Sequence, residues 1–213
     1  MRPMCCRSLS SVVALLGLTA CGGGGSSGGN SGIDPRLARL DVYEAQQLRL
    51  FGNPQTGAIG MAITQDPAIP AAGTLNFEGA AAIQIEHSSK TLALYGDAVL
   101  ALDFEAATAA GSVSNVFGQA LTGKVADYTG ELSLAGDGLE GAEFQITYAG
   151  RLTTDATDYG FAGTLETMLL GDQVAGVAGI DLDADIAHGA GVLTGSVIVF
   201  GEVAATQDTP VAP

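Results

Sequence analysis

The chain has 213 residues, 47% of them hydrophobic, with 23 acidic side chains against 8 basic ones and a formal charge of −15. That shortage of Lys and Arg excludes holding a nucleic-acid backbone by counterion release and repels anionic headgroups, while the apolar content is too high for an acidic disordered tail. The 31 glycines and the absence of Trp tilt the expected structure toward strands and turns.

Arg2 and Arg7 precede an apolar run at residues 9–18 (LSSVVALLGL), which is too short to span a bilayer as a helix and reads as the apolar part of a secretory signal. Leu18-Thr19-Ala20-Cys21 follows, and this resembles the lipobox of bacterial lipoproteins. The resemblance implies cleavage after residue 20, lipidation of Cys21 and, because Gly22 rather than Asp comes next, sorting to the outer membrane. Several acyl chains at about 0.8 kcal/mol per buried CH2 make such an anchor durable. Cleavage would discard Cys5 and Cys6, so with Cys21 acylated no thiol remains for a disulfide or a thiolate metal site. It would also discard Arg2 and Arg7, two of the 8 basic residues, and take the formal charge from −15 to −17.

Residues 21–32 (CGGGGSSGGNSG) are expected to be a flexible tether with a reach of about 20 Å. They lack the GxxxxGK[ST] pattern of a phosphate-cradling loop. Residues 33–72 read as a short helix and a connector. Asp34 can cap, Pro35 suits the first turn, and Leu37, Leu40, Glu44, Leu48 and Phe51 recur at three and four before Asn53-Pro54. This predicts one amphipathic helix over 34–51 that docks its Leu face on the remaining fold or caps its open end, in preference to seizing a partner. Arg36, Arg39 and Arg49 all lie on it. Residues 57–70 form the connector, with room for a short edge strand.

From residue 73 the period becomes two: Leu75, Phe77, Ala81, Ile83 and Ile85 alternate with Asn76, Glu78, Gln84 and Glu86. Further alternating stretches occupy 92–104, 112–117, 129–135, 141–152, 159–170, 175–186 and 192–203, separated by turn signals such as Gly136-Asp137-Gly138 and Gly189-Ala190-Gly191. Short connections make neighbours antiparallel, and eight strands is the size at which a sheet closes with side chains filling its interior. The fold class is therefore all-β: a single antiparallel eight-stranded up-and-down barrel over 73–204, preceded by the short helix and followed by a disordered tail at 205–213. Glu78, Glu86, Asp103, Glu131, Glu143, Glu166, Asp181, Asp183 and Asp185 are expected on one row facing water, since a membrane-embedded wall would need that row apolar. The opposite row should pack as a core, leaving the rim for any large polar ligand.

The residues that could carry chemistry are few. His87 and His188 sit at strand ends, and two imidazoles without cysteine support read as solvent-exposed turn residues rather than a metal pair. Asp181, Asp183 and Asp185 alternate on one strand, about 7 Å apart. Calcium needs six to eight oxygens around one point, so a solvated acidic face is expected there unless a neighbouring strand contributes. No GxSxG occurs and no Ser/His/Asp spacing stands out, so no catalytic residue, cofactor or enzyme activity is expected.

Strand order and turn text add a family resemblance. Residues 94–117 (LYGDAVLALDFEAATAAGSVSNVF), then Gly141-Ala142-Glu143-Phe144, Gly163-Thr164-Leu165, and Gly171 through Val174-Ala175-Gly176-Val177, resemble the small barrel domain of the transferrin-binding protein B family of surface lipoproteins. The resemblance spans 73–204. It implies an outer-membrane lipoprotein, often exposed at the cell surface, that binds a protein or solute without catalysis. Transferrin itself is not implied: there is one barrel, no room for a handle domain, and no Trp. Interface anchors favour Trp, Tyr and Arg, and the chain offers chiefly Tyr128 and Tyr159 near strand ends, with Tyr95 and Arg151 on strands. The expected partners are thus the outer membrane, through lipid on Cys21, and a protein or solute ligand, with no nucleic acid. A structural envelope lipoprotein without a specific ligand is the alternative, and a barrel enzyme a distant third.

Overall fold

The carboxylate of Asp34 accepts a hydrogen bond from the backbone N–H of Arg36 at 3.0 Å and so caps a 17-residue helix, α1 (Pro35–Phe51), with Pro35 in its first turn. The computed structural model describes residues 34–53, 55–88, 90–154 and 157–205, all within the unit Ile33–Pro213. The expected signal, the lipidation site Cys21, the tether, Pro54 and the tail after residue 205 lie outside the described residues. The helix ends at Gly52, whose φ of +72° turns the chain where a β-carbon would stand 2.3 Å from the Ala58 carbonyl oxygen.

After the helix come two short strands, β1 (Gly52–Asn53) and β2 (Ala58–Ile59), paired only with each other, and a 3-10 turn, Asp66–Ala68. The connector's short strand thus pairs with β1 at the end of the helix, and Ile63 alone among the connector's described residues forms a β-bridge to the barrel, at Leu170. The segment runs across one end of the barrel: Thr64 N–H donates to the Leu169 carbonyl at 2.9 Å, Gly171 N–H to that of Ala62 at 2.7 Å, and Ile69 packs against the core.

Nine further strands follow: β3 (Thr74–His87), β4 (Lys90–Asp103), β5 (Thr108–Gln119), β6 (Val125–Asp127), β7 (Thr129–Asp137), β8 (Glu143–Thr154), β9 (Thr157–Leu170), β10 (Gly176–His188) and β11 (Gly191–Val203). All pairings are antiparallel. Eight of these strands close in the order β3-β4-β5-β7-β8-β9-β10-β11, with β11 returning to β3 over ten paired residues. The short β6 extends the β7 side alongside β5. The eight-stranded up-and-down barrel predicted from the alternation is the observed fold.

The inward row is apolar and filled. Phe77, Ile83, Ile85, Leu92, Leu94, Leu102, Leu132 and Ile146 are buried, and a void inside the barrel lined by Leu100, Leu165, Thr167 and Val199 among others measures about 10 Å³. That has room for about one water molecule and is too small for an organic ligand. Fully burying each Leu, Ile or Phe stabilises by about 1.5–3 kcal/mol, so this core is the main source of stability. The outward row carries Glu78, Glu86, Glu131, Glu143, Glu166 and Asp185, all exposed.

α1 lies on the barrel's outer wall and caps neither end. Tyr43 and Leu50 join Ala80 of β3, Phe117 of β5, Ala178 of β10 and Phe200 of β11 in a second apolar cluster, with Leu40, Phe51 and Ile198 at its edge. The predicted stripe is correct at Leu40 and Phe51 and wrong elsewhere: Leu37 and Leu48 are 51% and 47% exposed, and Tyr43, Gln46 and Leu50 face the wall in their place. Polar partners on the wall explain the rotation. Gln46 donates to the Glu78 carbonyl at 2.8 Å and Tyr43 to the Asp97 carboxylate, so both side chains bury with their polar ends satisfied.

Candidate functional site

At the end of the barrel opposite the covering segment, tight connections bring His87 beside Lys90, Thr154 beside Thr157, and His188 beside Gly191. His87 and His188 end β3 and β10, and β11 lies between those strands, so closure of the barrel carries the two residues to one mouth. Their rings stand 5.6 Å apart at 71°. His188 also stacks on Tyr159, at 5.1 Å and 27°, and Tyr159 approaches Tyr128 at 6.4 Å. The two histidines are half-buried and form part of an inward aromatic layer, which corrects the expectation of solvent-exposed turn residues. Tyr128 and Tyr159, candidates for exposed interface anchors by sequence, are likewise buried in this layer.

The polar atoms of the mouth divide into satisfied and open. His188 Nδ1 donates to the Asp158 carbonyl at 3.3 Å, Tyr128 Oη donates to the Gln119 carbonyl at 3.0 Å, and Lys90 Nζ is engaged by the Leu121 carbonyl. His87 Nε2 and Tyr159 Oη are buried with no hydrogen-bond partner in the protein. Burial raises the Tyr159 phenol, and burial together with the neighbouring Tyr159 pushes Tyr128 up to about 12, so both are protonated at neutral pH. The mouth thus presents two imidazoles and a phenol, two of its polar atoms awaiting a partner.

The three aspartates do not share a face. Between Asp181, opposite Val197, and Ala184, opposite Gly195, β10 holds one residue more than β11, and this bulge breaks the alternation. Asp181 turns toward the interior, where Tyr148 Oη donates to its Oδ2 at 2.7 Å; Asp183 sits in the bulge and Asp185 faces water. Gly163 makes room for the pair, since a β-carbon there would lie 2.4 Å from Tyr148 Oη. Among the described residues no group of three or more His, Cys, Asp or Glu could hold a metal ion.

A second polar cluster clamps α1. Arg39 donates to Tyr43 Oη at 2.9 Å and to the Asn115 carbonyl at 2.8 Å, pairs with Asp97 at 3.2 Å, and covers the Phe117 ring at 4.7 Å. Asn115, at φ +51° in a bulge of β5, donates to the same carboxylate at 2.9 Å. Although burial acts to raise the Asp97 carboxyl, its bonds from Tyr43 and Asn115 and the charge of Arg39 outweigh this and hold it below the usual range. At the other end of the helix Arg49 Nε donates to Glu202 at 2.7 Å and lowers that carboxyl too. No buried side-chain polar atom of this cluster is left without a partner, which marks it as a structural fastening.

The covered end carries a shallow groove of about 380 Å³ between Asp66, Ile69, Phe104 and Leu139. No family model matches the sequence, and no curated protein matches it. Fold and site together define a small closed barrel with a filled interior, one helix on its wall and one aromatic, histidine-bearing mouth.

Proposed function

We propose that the protein is a non-catalytic binding barrel of the transferrin-binding-protein-B-like kind, anchored to the outer membrane through lipid on Cys21 and displayed at the cell surface. The observation that carries this reading is the succession of an apolar signal-like run, Leu18-Thr19-Ala20-Cys21 and a Gly/Ser tether ahead of a barrel whose outward row is acidic. A wall with exposed Glu78, Glu86, Glu131, Glu143 and Glu166 is costly to bury in hydrocarbon, so attachment is assigned to the lipid. With the interior filled, recognition of a protein or solute is assigned to the barrel's outer surface and ends. The test is Cys21→Ser. The native chain should partition into the detergent phase and incorporate palmitate, and the variant should do neither; protease added to intact cells should remove the native barrel. A variant that still enters the detergent phase overturns the anchor, and a barrel protected in intact but not in permeabilised cells overturns surface display.

A further inference from the structure

The geometry at the barrel mouth points to a metal site: His87 and His188 together take a borderline divalent transition-metal ion of the Zn²⁺, Cu²⁺ or Ni²⁺ class, with Tyr159 donating a hydrogen bond to a water bound on that ion. The site does not depend on lipid anchoring, so either assignment can fail alone.

Tautomer comes first. Because His188 Nδ1 carries the proton it donates to the Asp158 carbonyl, the lone pair of the neutral ring lies on Nε2. A backbone carbonyl behind the far nitrogen is the usual support of a metal-ligating histidine, fixing the ring and raising its basicity. His87 offers the matching atom, an Nε2 that is buried and has no partner. A buried polar atom left in this state is destabilising, and a bound ion would supply the partner it lacks.

Reach comes second. An imidazole nitrogen lies about 1.1 Å from its ring centre and a metal about 2.0–2.1 Å beyond it, so one ion can serve two rings whose centres are up to about 6.3 Å apart. The observed separation is 5.6 Å. With both Nε2 atoms turned toward one ion by side-chain rotation, that separation corresponds to an N–metal–N angle of about 125°, within the range of a distorted tetrahedral site.

Metal class follows from the donors. Imidazole nitrogen suits Zn²⁺, Cu²⁺ and Ni²⁺, whereas Ca²⁺ and Mg²⁺ require an oxygen cage that this mouth lacks. Tyr159, 0% exposed and stacked on His188, keeps its proton and can give it to a hydrogen bond with the ion's water, supplying the partner that Oη lacks. The nearby cations are engaged elsewhere, Lys90 by the Leu121 carbonyl and Arg151 by Asp158. Both imidazoles keep part of their surface in solvent although His87 Nε2 itself is buried, so rotation of the His87 side chain would open the site to an ion and leave coordination positions for water or for a donor from a bound partner.

The experiment uses the full chain in detergent with Cys5, Cys6 and Cys21 changed to Ser, so that no thiolate competes, and ZnCl2 as the probe in calorimetry at 0.15 M salt. One equivalent of Zn²⁺ should bind. H87Q and H188Q should each weaken binding at least about tenfold, and Y159F by less. Imidazole ¹⁵N spectra of the unsubstituted histidines should show both Nε2 resonances, and neither Nδ1, moving to metal-bound positions. If a Gln variant loses its strand circular dichroism, those spectra decide the matter. Absence of saturable uptake, or undiminished uptake by the folded H87Q/H188Q double variant through the acidic wall, overturns the proposal.

Discussion

Tyr148 and Asp181 meet inside the barrel at 2.7 Å, the phenol donating to the carboxylate from a side chain that is itself only 2% exposed. Burial, and then the bond to Asp181, raises the Tyr148 phenol, so it remains a donor throughout the neutral range. Hydrogen bonds to charged groups contribute about 1.5–3 kcal/mol, and removing the donor leaves an inward carboxylate short of a partner. Tyr148→Phe should therefore lower the urea midpoint by an amount worth about 1.5–3 kcal/mol. The same change made in an Asp181→Asn background should cost less, and equal costs in the two backgrounds would show that the pair is not coupled.

The helix register gives a second prediction. Leu50 is 1% exposed against Phe200 and Ala178, so Leu50→Ala should destabilise by about 2–5 kcal/mol in equilibrium unfolding. Leu37→Ser and Leu48→Ser should stay within about 0.5 kcal/mol, because both side chains already face water.

Acid should loosen the helix from the wall. Asp97 and Glu202 have folded-state pKa values below those of the unfolded chain, so the stability they contribute is present above about pH 4 and lost as pH falls through their lowered folded values. Amide exchange in Pro35–Phe51, corrected for intrinsic rate, should accelerate below about pH 4 relative to the barrel strands. Asp97→Asn combined with Glu202→Gln should flatten that response.

Base should act on the same clamp from the other side. Burial, then the bond to Asp97, pushes Tyr43 up to about 12, above the ordinary phenol value of about 10. Its stabilisation is complete below about pH 10 and is lost as pH rises through about 12. Ultraviolet titration of Tyr43→Phe should show one late-ionising phenol fewer than the native chain, which also carries the raised Tyr128 and Tyr148, and in the native chain helix exchange should rise over the interval in which that phenol ionises.

The strands were legible because one face of each meets the core and the other meets water, and this imposes alternation from Leu75 to Val203 almost without interruption. Features that depend on one extra residue or on a distant partner were not. The Asp181, Asp183, Asp185 spacing looks regular in one dimension, and only pairing with β11 reveals the bulge that separates them. Tyr43 and Gln46 fall outside the Leu37, Leu40, Glu44, Leu48, Phe51 spacing, and the partners that seat them, Asp97 and the Glu78 carbonyl, lie far away in sequence. His87 and His188 looked like separate turn residues, because closure of β11 on β3 is what brings them together. A polar residue flanking an inward-facing position by two, as His87 follows Ile85 and His188 follows Ile186, was the signal available for the mouth.

The closing pair, β3 with β11, joins the first strand of the barrel to the last, and α1 straddles that seam through the Gln46 bond to Glu78 and the Arg49 bond to Glu202. Until the final thirteen-residue strand is available, β3 has an unpaired edge and the helix has half a seat. Sequence-distant pairing of this kind makes for slow assembly, and open strand edges are sticky while they wait. A chain interrupted before residue 191 would accordingly be an aggregation hazard rather than a smaller barrel, and chaperones that shield the growing polypeptide would have most to protect in the interval before β11 arrives.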